Sequence, residues 1–336
     1  MTRSPLILAG DIGGTKTNLA LYRYRDGGLE IETKRQYASG DHDDFTSVID
    51  AFLDTSAIAR IDAACFGIAG PVVSGVCKTT NLPWEIDTAA LQAKLDTPRV
   101  RLLNDLEATA YGMLYLDDAD FTNLNDGAGA AVGNRAVIAA GTGLGEAMLF
   151  SDGQHYRPVG SEGGHCDFAP ADDLQQKLLS WLRGLHPDHV STERVLSGPG
   201  VHTLYDFLKE TEVAPEPAFM RELPAGEDRS AKISEGALLH GDALCRETLA
   251  LFAAIYGAEA GNLALKTMAT GGVYIGGGIA PKILPFLQQH FMDAFRAKGR
   301  FAPLLEAMPV RVSLNPETAL GGAAHFAADH LLTLAE

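Results

Sequence analysis

One pattern occurs twice in this 336-residue chain and narrows the folds open to it. Residues 6–22 read LILAGDIGGTKTNLALY and residues 136–150 read AVIAAGTGLGEAMLF. Each is an apolar strand, a turn of glycine with threonine, and a return strand. A supersecondary unit that restarts 130 residues further on predicts two related lobes, each offering a glycine hairpin to a shared cleft. Chance recurrence is the competing reading, because glycine hairpins are common. Length agrees with two lobes, since a single core seldom keeps growing beyond about 250–300 residues.

Between and after the hairpins the periodicity alternates. Helices are predicted at Asp44–Leu53, Thr88–Leu95 and Leu106–Leu116, and strands at Ala63–Ala69 and Val100–Leu103, so the class is α/β. A loop rich in Asp, Asn and Gly is expected over Asp117–Asn134. The second half reads as helices at Asp173–Leu185, Val201–Lys209, Ala243–Leu265 and Pro281–Phe295, a surface loop over Glu212–Arg229, and a strand at Gly271–Gly278. A last helix, Thr318–Leu332, comes after the start signal Asn315-Pro316-Glu317. In the longest helix Leu249, Phe252, Ala253, Tyr256, Ala260 and Leu263 share a buried face, and Gly257 and Gly261 predict a second backbone packed close.

The net charge of −16 argues against nucleic acid or an anionic membrane as the main partner. It leaves anionic small ligands open, because backbone dipoles can bind phosphate on an acidic protein. Cys65, Cys77, Cys166 and Cys245 are scattered without a C-x-x-C pair, so buried reduced thiols are expected. No apolar run reaches the roughly 20 residues of a membrane span. The first apolar run enters the first glycine motif almost at once, and loss of a leader there would destroy it, so the cytoplasm is the expected location.

Gly10-Asp11-Ile12-Gly13-Gly14-Thr15-Lys16-Thr17 misses a Walker A loop at Thr15, and Thr17–Tyr24 reads as a strand where that loop must open a helix. Phosphate chemistry is still available: N–H groups of Gly13, Gly14 and Thr15 can form an anion nest, and Asp11 can hold a hydrated Mg²⁺. A tight turn with a capping Asp is the plainer reading. Gly141-Thr142-Gly143 can wrap phosphates from the other lobe, and Gly276-Gly277-Gly278 admits a flat ring such as adenine. A strand after Gly145 speaks against a nicotinamide cofactor.

At Leu102-Leu103-Asn104-Asp105 an apolar strand runs into two polar residues and then a helix. Asp105 is either a base within reach of a substrate hydroxyl or only the N-cap of that helix. In Gly160-Ser161-Glu162-Gly163-Gly164-His165 the two glycines speak against a helical di-iron pair; a polar loop reading ligand hydroxyls fits better, with a lone surface His165 as the plainer reading. Glu193 carries almost no signal of its own, and His186 and His189 beside Pro187 read as solvated loop residues.

Taken in order, GDIGGT, FGIAGPV, TNLPW, LLNDLEATAYG, GTGLG, GSEGGHCDFAP, STERVLSGPG, GGVYIGGGIAP and ALGGAAHF make the chain resemble the bacterial-type glucokinases, within the superfamily of sugar kinases, actin and the heat-shock chaperone ATPases. The resemblance implies a two-lobed, actin-like ATPase (ribonuclease H-like) fold with a central cleft. The expected division is a small α/β domain over 1–112 plus 317–336 and a large one over 113–316. It implies glucose 6-phosphorylation with MgATP in a cytoplasmic homodimer. Asp105 would be the general base, with Asn104, Glu162, His165 and Glu193 on the other sugar hydroxyls. Gly10, Asp11, Ile12, Gly13, Gly14 and Thr15, with Gly141, Thr142 and Gly143, would wrap the phosphates. Asp11 would steer Mg²⁺ through water, and Gly277 and Gly278 would border adenine.

Three positions depart from the commoner pattern: Lys16 and NLPW, which are more usual in the repressor/ORF/kinase (ROK) relatives, and Glu146, where a small or apolar residue is more usual. The cysteine-rich zinc motif of the ROK group is absent, so no structural zinc is expected. The alternatives are a kinase for another hexose or amino sugar, a sugar-sensing regulator, and a phosphohydrolase of the same superfamily.

Overall fold

The computed structural model describes residues 3–55, 60–79, 82–128, 132–224 and 226–332. Asn81 of the NLPW motif lies outside the described residues. Contacts divide the chain into two units, one of Met1–Ala119, Tyr156–Gly160 and Asn315–Glu336, the other of Asp120–His155 and Ser161–Leu314.

In the first unit the opening hairpin forms as expected. Strand β1 (Leu6–Ile12) runs antiparallel to β2 (Lys16–Arg25) with Ile12 opposite Thr17. Strand β3 (Gly28–Ala38) extends the hairpin. Strand β3 is an addition to the sequence reading: Leu29, Ile31, Thr33 and Tyr37 alternate with charged and polar residues, but no residue of this edge strand is fully buried, and only Leu29 and Tyr37 pack against the cores. Helix α1 (Phe45–Asp54) begins where the Asp44 side chain accepts the Ser47 N–H. Strand β4 (Ala63–Ile68) is buried throughout and parallel to β1. A small sheet of β5 (Val72–Val73), β6 (Val76–Lys78) and β7 (Glu85–Asp87) leads into α2 (Thr88–Leu95), and β8 (Val100–Asn104) runs parallel to β4. The main sheet has the order β3-β2-β1-β4-β8. Period-two alternation splits β1 between two cores: Leu6 and Leu8 pack with Phe45, Ile49, Phe52 and Phe66, while Ile7 and Ala9 pack with Leu103, Ala108 and Leu320. The second core receives helix α3 (Asp105–Gly112).

The second unit repeats the plan. Strand β9 (Phe121–Asn125) lies within the stretch expected to be loop; it is polar and only partly covered, so its composition reads as loop. Strands β10 (Arg135–Ala140) and β11 (Leu144–Ser151) form the second hairpin, and β12 (Tyr156–Ser161), of which Tyr156–Gly160 are grouped with the first unit, comes after it in the chain. Helices α4 (Asp173–Leu185), α5 (Gly198–Glu210), α6 (Ala218–Arg221), α7 (Arg229–Leu238) and α8 (Ala243–Thr267) come next. Helix α5 starts three residues before the expected Val201, because Ser197 caps it through the Gly200 N–H and proline stands in its first turn. Strand β13 (Gly272–Gly276) is parallel to β10, helices α9 (Leu284–Arg296) and α10 (Ala302–Glu306) intervene, and β14 (Val310–Ser313) is parallel to β13. The run β11-β10-β13-β14 thus matches β2-β1-β4-β8: an antiparallel hairpin and then two parallel strands. Helix α11 (Thr318–Phe326) belongs to the first unit.

Helix α8 is the spine of the second core. Its 25 residues include an 18-residue window of mean hydropathy 1.3, long and apolar enough to cross a bilayer by composition, but 78% of that window is buried inside the fold. The close backbone predicted at its glycines is α9: a Cβ on Gly257 would stand 2.1 Å from the Phe291 carbonyl oxygen, and one on Gly261 2.6 Å from that of Phe295. Cys65, Cys77 and Cys245 are buried free thiols, whereas Cys166 is exposed, against expectation.

Candidate active site

In the first unit the parallel strands bring the predicted residues to one sheet edge. Asp11 pairs with Gly67, and Gly67 with Leu103, so the carboxyl ends of β1, β4 and β8 lie side by side. Polar residues at such strand ends are where α/β proteins bind ligands. Asp11 is partly buried and takes a 3.4 Å hydrogen bond from Asn18 Nδ2, while Gln36 Nε2 holds Asn18 Oδ1 at 2.9 Å. Burial raises the Asp11 pKa, with the Asn18 bond opposing. A desolvated carboxylate with one long hydrogen bond suits a hydrated cation, so the residues present fit Mg²⁺.

The turn after β1 is not the nest expected. The Gly13 N–H is used within the hairpin, donating to the Lys16 carbonyl at 2.9 Å, and neither Gly13 nor Gly14 has positive φ, so the alternating hand of a nest is missing. The N–H groups of Gly14 and Thr15 remain as donors for an anion. Gly10 serves packing: a Cβ there would meet Phe66 Cδ1 at 2.7 Å and Leu19 Cδ2 at 2.8 Å.

Asp105 is not the N-cap. That position belongs to Asn104, whose Oδ1 accepts the Leu106 N–H at 2.9 Å, and the Glu107 carboxylate completes a capping box by accepting the Asn104 N–H at 2.8 Å. Asp105 is the first helical residue, with Oδ1 2.9 Å from the Leu106 nitrogen. Its negative charge adds to the effect of burial in raising the Cys77 pKa. Asn104 Nδ2 also donates to the Gly70 carbonyl at 3.1 Å, so most of its amide is committed to the fold. Sequence reading missed Glu107, whose other oxygen accepts the Gly160 N–H at 3.3 Å. The N-x-x-E spacing from Asn104 was the available signal.

In the second unit Glu162, His165 and Glu193 converge. Residues 163–165 make a single 3-10 turn instead of a helix. His165 Nε2 lies 3.9 Å from Glu162 Oε2, and its Nδ1 4.0 Å from Glu193 Oε1, an array of alternating acceptors and a donor suited to vicinal hydroxyls. Glu193, on the 3-10 turn Thr192–Arg194, also reaches the second glycine hairpin. Its Oε2 accepts the Leu144 N–H at 2.9 Å, and a Cβ on Gly143 would stand 2.4 Å from that oxygen. The Gly141 carbonyl accepts the Gly198 N–H at 2.8 Å, which brings the start of α5 to the same turn. Gly277 has φ +82°, a conformation that glycine adopts without strain, and a Cβ there would meet the Ala140 carbonyl at 2.3 Å; beside Gly278 the space is open. His189 is solvent-exposed as expected but anchored, with Nδ1 3.2 Å from Asp167 Oδ1 and Nε2 2.9 Å from the His165 carbonyl oxygen.

The geometry therefore gathers Glu162, His165 and Glu193, ties the Gly143–Leu144 turn to them and leaves the edge beside Gly278 open in one unit, and sets two carboxylates at one sheet edge in the other. Comparison with known proteins agrees. The glucokinase family model matches residues 8–330. A glucokinase of Nostoc punctiforme is 43% identical over 96% of this chain and 99% of its own length. The crystal structure of a glucokinase from an Antarctic psychrotroph superposes with a TM-score of 0.84 at 33% identity, covering 97% of this chain and 98% of that one. A ROK-family glucokinase of Streptomyces griseus, solved with glucose and AMPPNP, matches in fold alone, with a TM-score of 0.64 at 21% identity over 96% and 99% of the two chains. The chain belongs to the glucokinase family, with the actin-like fold of sugar kinases.

Proposed function

We propose that this member of the glucokinase family transfers the γ-phosphoryl group of MgATP to the 6-hydroxyl of glucose, giving glucose 6-phosphate and ADP. The observation that carries the reading is Glu193, which faces His165 with one carboxylate oxygen and holds the N–H of the Gly141–Leu144 turn with the other. One side chain thus links a hydroxyl-reading cluster to a glycine turn suited to phosphate.

Glu162, His165 and Glu193 take sugar hydroxyls, with Asn104 contributing the part of its amide that capping leaves over. Asp105 accepts the proton of the attacking hydroxyl, a task that asks an ionised carboxylate only for position. Gly14, Thr15, Thr142 and Gly143 supply backbone donors to the phosphates, and Gly277 with Gly278 flanks adenine. Mg²⁺, when bound through water to Asp11, would neutralise charge on the phosphates. Specificity comes from pairing each hydroxyl with a polar group, because an analogue lacking one leaves that group unpaired. The family likeness supports a cytoplasmic homodimer acting where glucose enters glycolysis.

The test is ADP release by purified protein with MgATP, with and without glucose. Glucose-dependent release supports the reading. Release without sugar indicates an ATPase, and silence with glucose but turnover of mannose, fructose or N-acetylglucosamine changes the acceptor.

A further inference from the structure

Glu146 lies on β11, on the same face as buried Leu144, and is itself only 2% exposed. Its Oε1 has no hydrogen-bond partner among the described residues. Such a group is expensive to keep, especially when charged. Its other oxygen lies under the loop that carries Glu162 and His165: a Cβ on Gly163 would stand 2.1 Å from Oε2 and 2.8 Å from Cδ. The next residue, Gly164, sits as closely on the strand, where a Cβ would meet the Leu144 carbonyl oxygen at 2.1 Å. The Ser161 hydroxyl completes the seat, donating to the Glu146 carbonyl at 3.0 Å and accepting the Gly163 N–H at 3.2 Å. The main chain between Glu162 and His165 therefore rests on residues 144–146.

The groups facing this carboxyl come from several directions. Helix α8 presents Tyr256, Glu259 and Lys266. Glu259 is buried at 7% exposure, takes a 2.9 Å bond from Asn262 and lies 3.8 Å from Lys266 Nζ. Lys298, beyond α9, donates to the Ala258 carbonyl and to Asn262 Oδ1, and its charge is felt with Glu259. On β10 the residue opposite is the uncharged Ile138. Glu162 and His165 of the loop are exposed.

We propose that Glu146 is a positioning residue for the sugar site: its neutral carboxyl seats the Gly163–Gly164 main chain and fixes the spacing of Glu162 and His165, and its ionisation lifts that loop and weakens sugar binding. This rests on the reading that Glu162 and His165 hold the sugar. Burial first, then the Glu259 charge, with Lys266 opposing, pushes the Glu146 pKa up to about 7. The neutral form therefore prevails below that pH, and the charged form, desolvated and repelled by Glu259, prevails above it. No isolated turn or strand would couple these two states to sugar affinity; the contact with Gly163 does.

The experiment is steady-state kinetics from about pH 5 to about pH 9 on wild type, Glu146→Gln, Glu259→Gln and Glu162→Gln, with circular dichroism to confirm folding. In wild type the glucose KM should rise about fivefold or more through neutrality, while the ATP KM moves little. Glu146→Gln should hold the low-pH glucose KM throughout. Glu259→Gln removes the repelling charge, so the midpoint of the rise should move to lower pH. The same pH profile in wild type and Glu146→Gln overturns the proposal. If Glu146→Gln does not fold, an unmoved midpoint in Glu259→Gln overturns it instead. An unchanged glucose KM in Glu162→Gln would sink the sugar-site reading itself, a separate outcome.

Discussion

Glu193 occupies the space that a side chain on Gly143 would need: its Oε2 is 2.4 Å from the position of a Cβ there and accepts the Leu144 N–H at 2.9 Å. Gly143→Ala must push that carboxylate aside, and overpacking of this kind costs about 1–3 kcal/mol. Because the other Glu193 oxygen faces His165, the loss should reach both substrates, with the KM values for ATP and glucose each rising about tenfold, as ~1.4 kcal/mol implies. Measuring both constants checks it. A rise for ATP alone would show that Glu193 does not couple the turn to the sugar cluster.

Asp105→Asn should separate chemistry from stability. The N-cap of α3 is Asn104, so the substitution removes no cap and should leave Tm nearly unchanged. The loss of a base should lower kcat by about 10²–10⁴-fold, with glucose KM altered much less. Turnover near that of wild type would place the base elsewhere.

How far the sequence led depended on whether a residue acts through a local pattern. Both hairpins, the α/β alternation and helices such as α2 and α4 were legible because strand and helix periods show in short windows. Strands β3 and β9 were not, since both are rich in polar or charged residues and neither contains a fully buried one. A helix start at Asn104-Asp105 was legible too, but which of these two adjacent polar residues caps it depends on the Asn104 and Glu107 side chains. Glu193 had almost no local signal of its own: its contacts are with Leu144, 49 positions away, and with His165. Glu146 stood out only as an unusual residue, and its burial under Gly163 needed the tertiary structure.

Glu107 accepts two main-chain N–H groups, those of Asn104 and Gly160. Glu107→Ala leaves both donors unpaired and should destabilise by roughly 1–3 kcal/mol. Glu107→Gln keeps an acceptor oxygen and should recover part of that loss. Urea unfolding of both variants tests this; equal stability of Glu107→Ala and wild type would mean that water replaces the carboxylate without cost.

Glycine-to-alanine substitutions should have opposite signs in two helices. On α8, Gly257→Ala places a Cβ 2.1 Å from the Phe291 carbonyl oxygen, and the clash should outweigh a helix-propensity gain of about 1 kcal/mol. On α4, a Cβ on Gly184 meets nothing within 4 Å, so Gly184→Ala should stabilise by about 0.5–1 kcal/mol. Thermal melts of the pair decide: stabilisation by Gly257→Ala would show that α8 and α9 can move apart at little cost.

Glu146 also predicts how stability varies with pH. Its carboxyl is raised from the ordinary value of 4.5 to about 7 in the fold by burial and by Glu259. Between those values the native state holds a proton that the unfolded chain has released, so stability must fall as pH rises through the window. The fall is on the order of 3 kcal/mol, absent below the lower value and complete above the upper one. Glu146→Gln carries no titrating proton, so its urea stability should lack this descent. The difference between variant and wild type should therefore be small below about pH 4.5, widen in favour of the variant up to about pH 7, and stay level above it. A difference that stays constant with pH would mean that Glu146 is ionised in the native protein throughout, with a cation or donor from solvent supporting its charge.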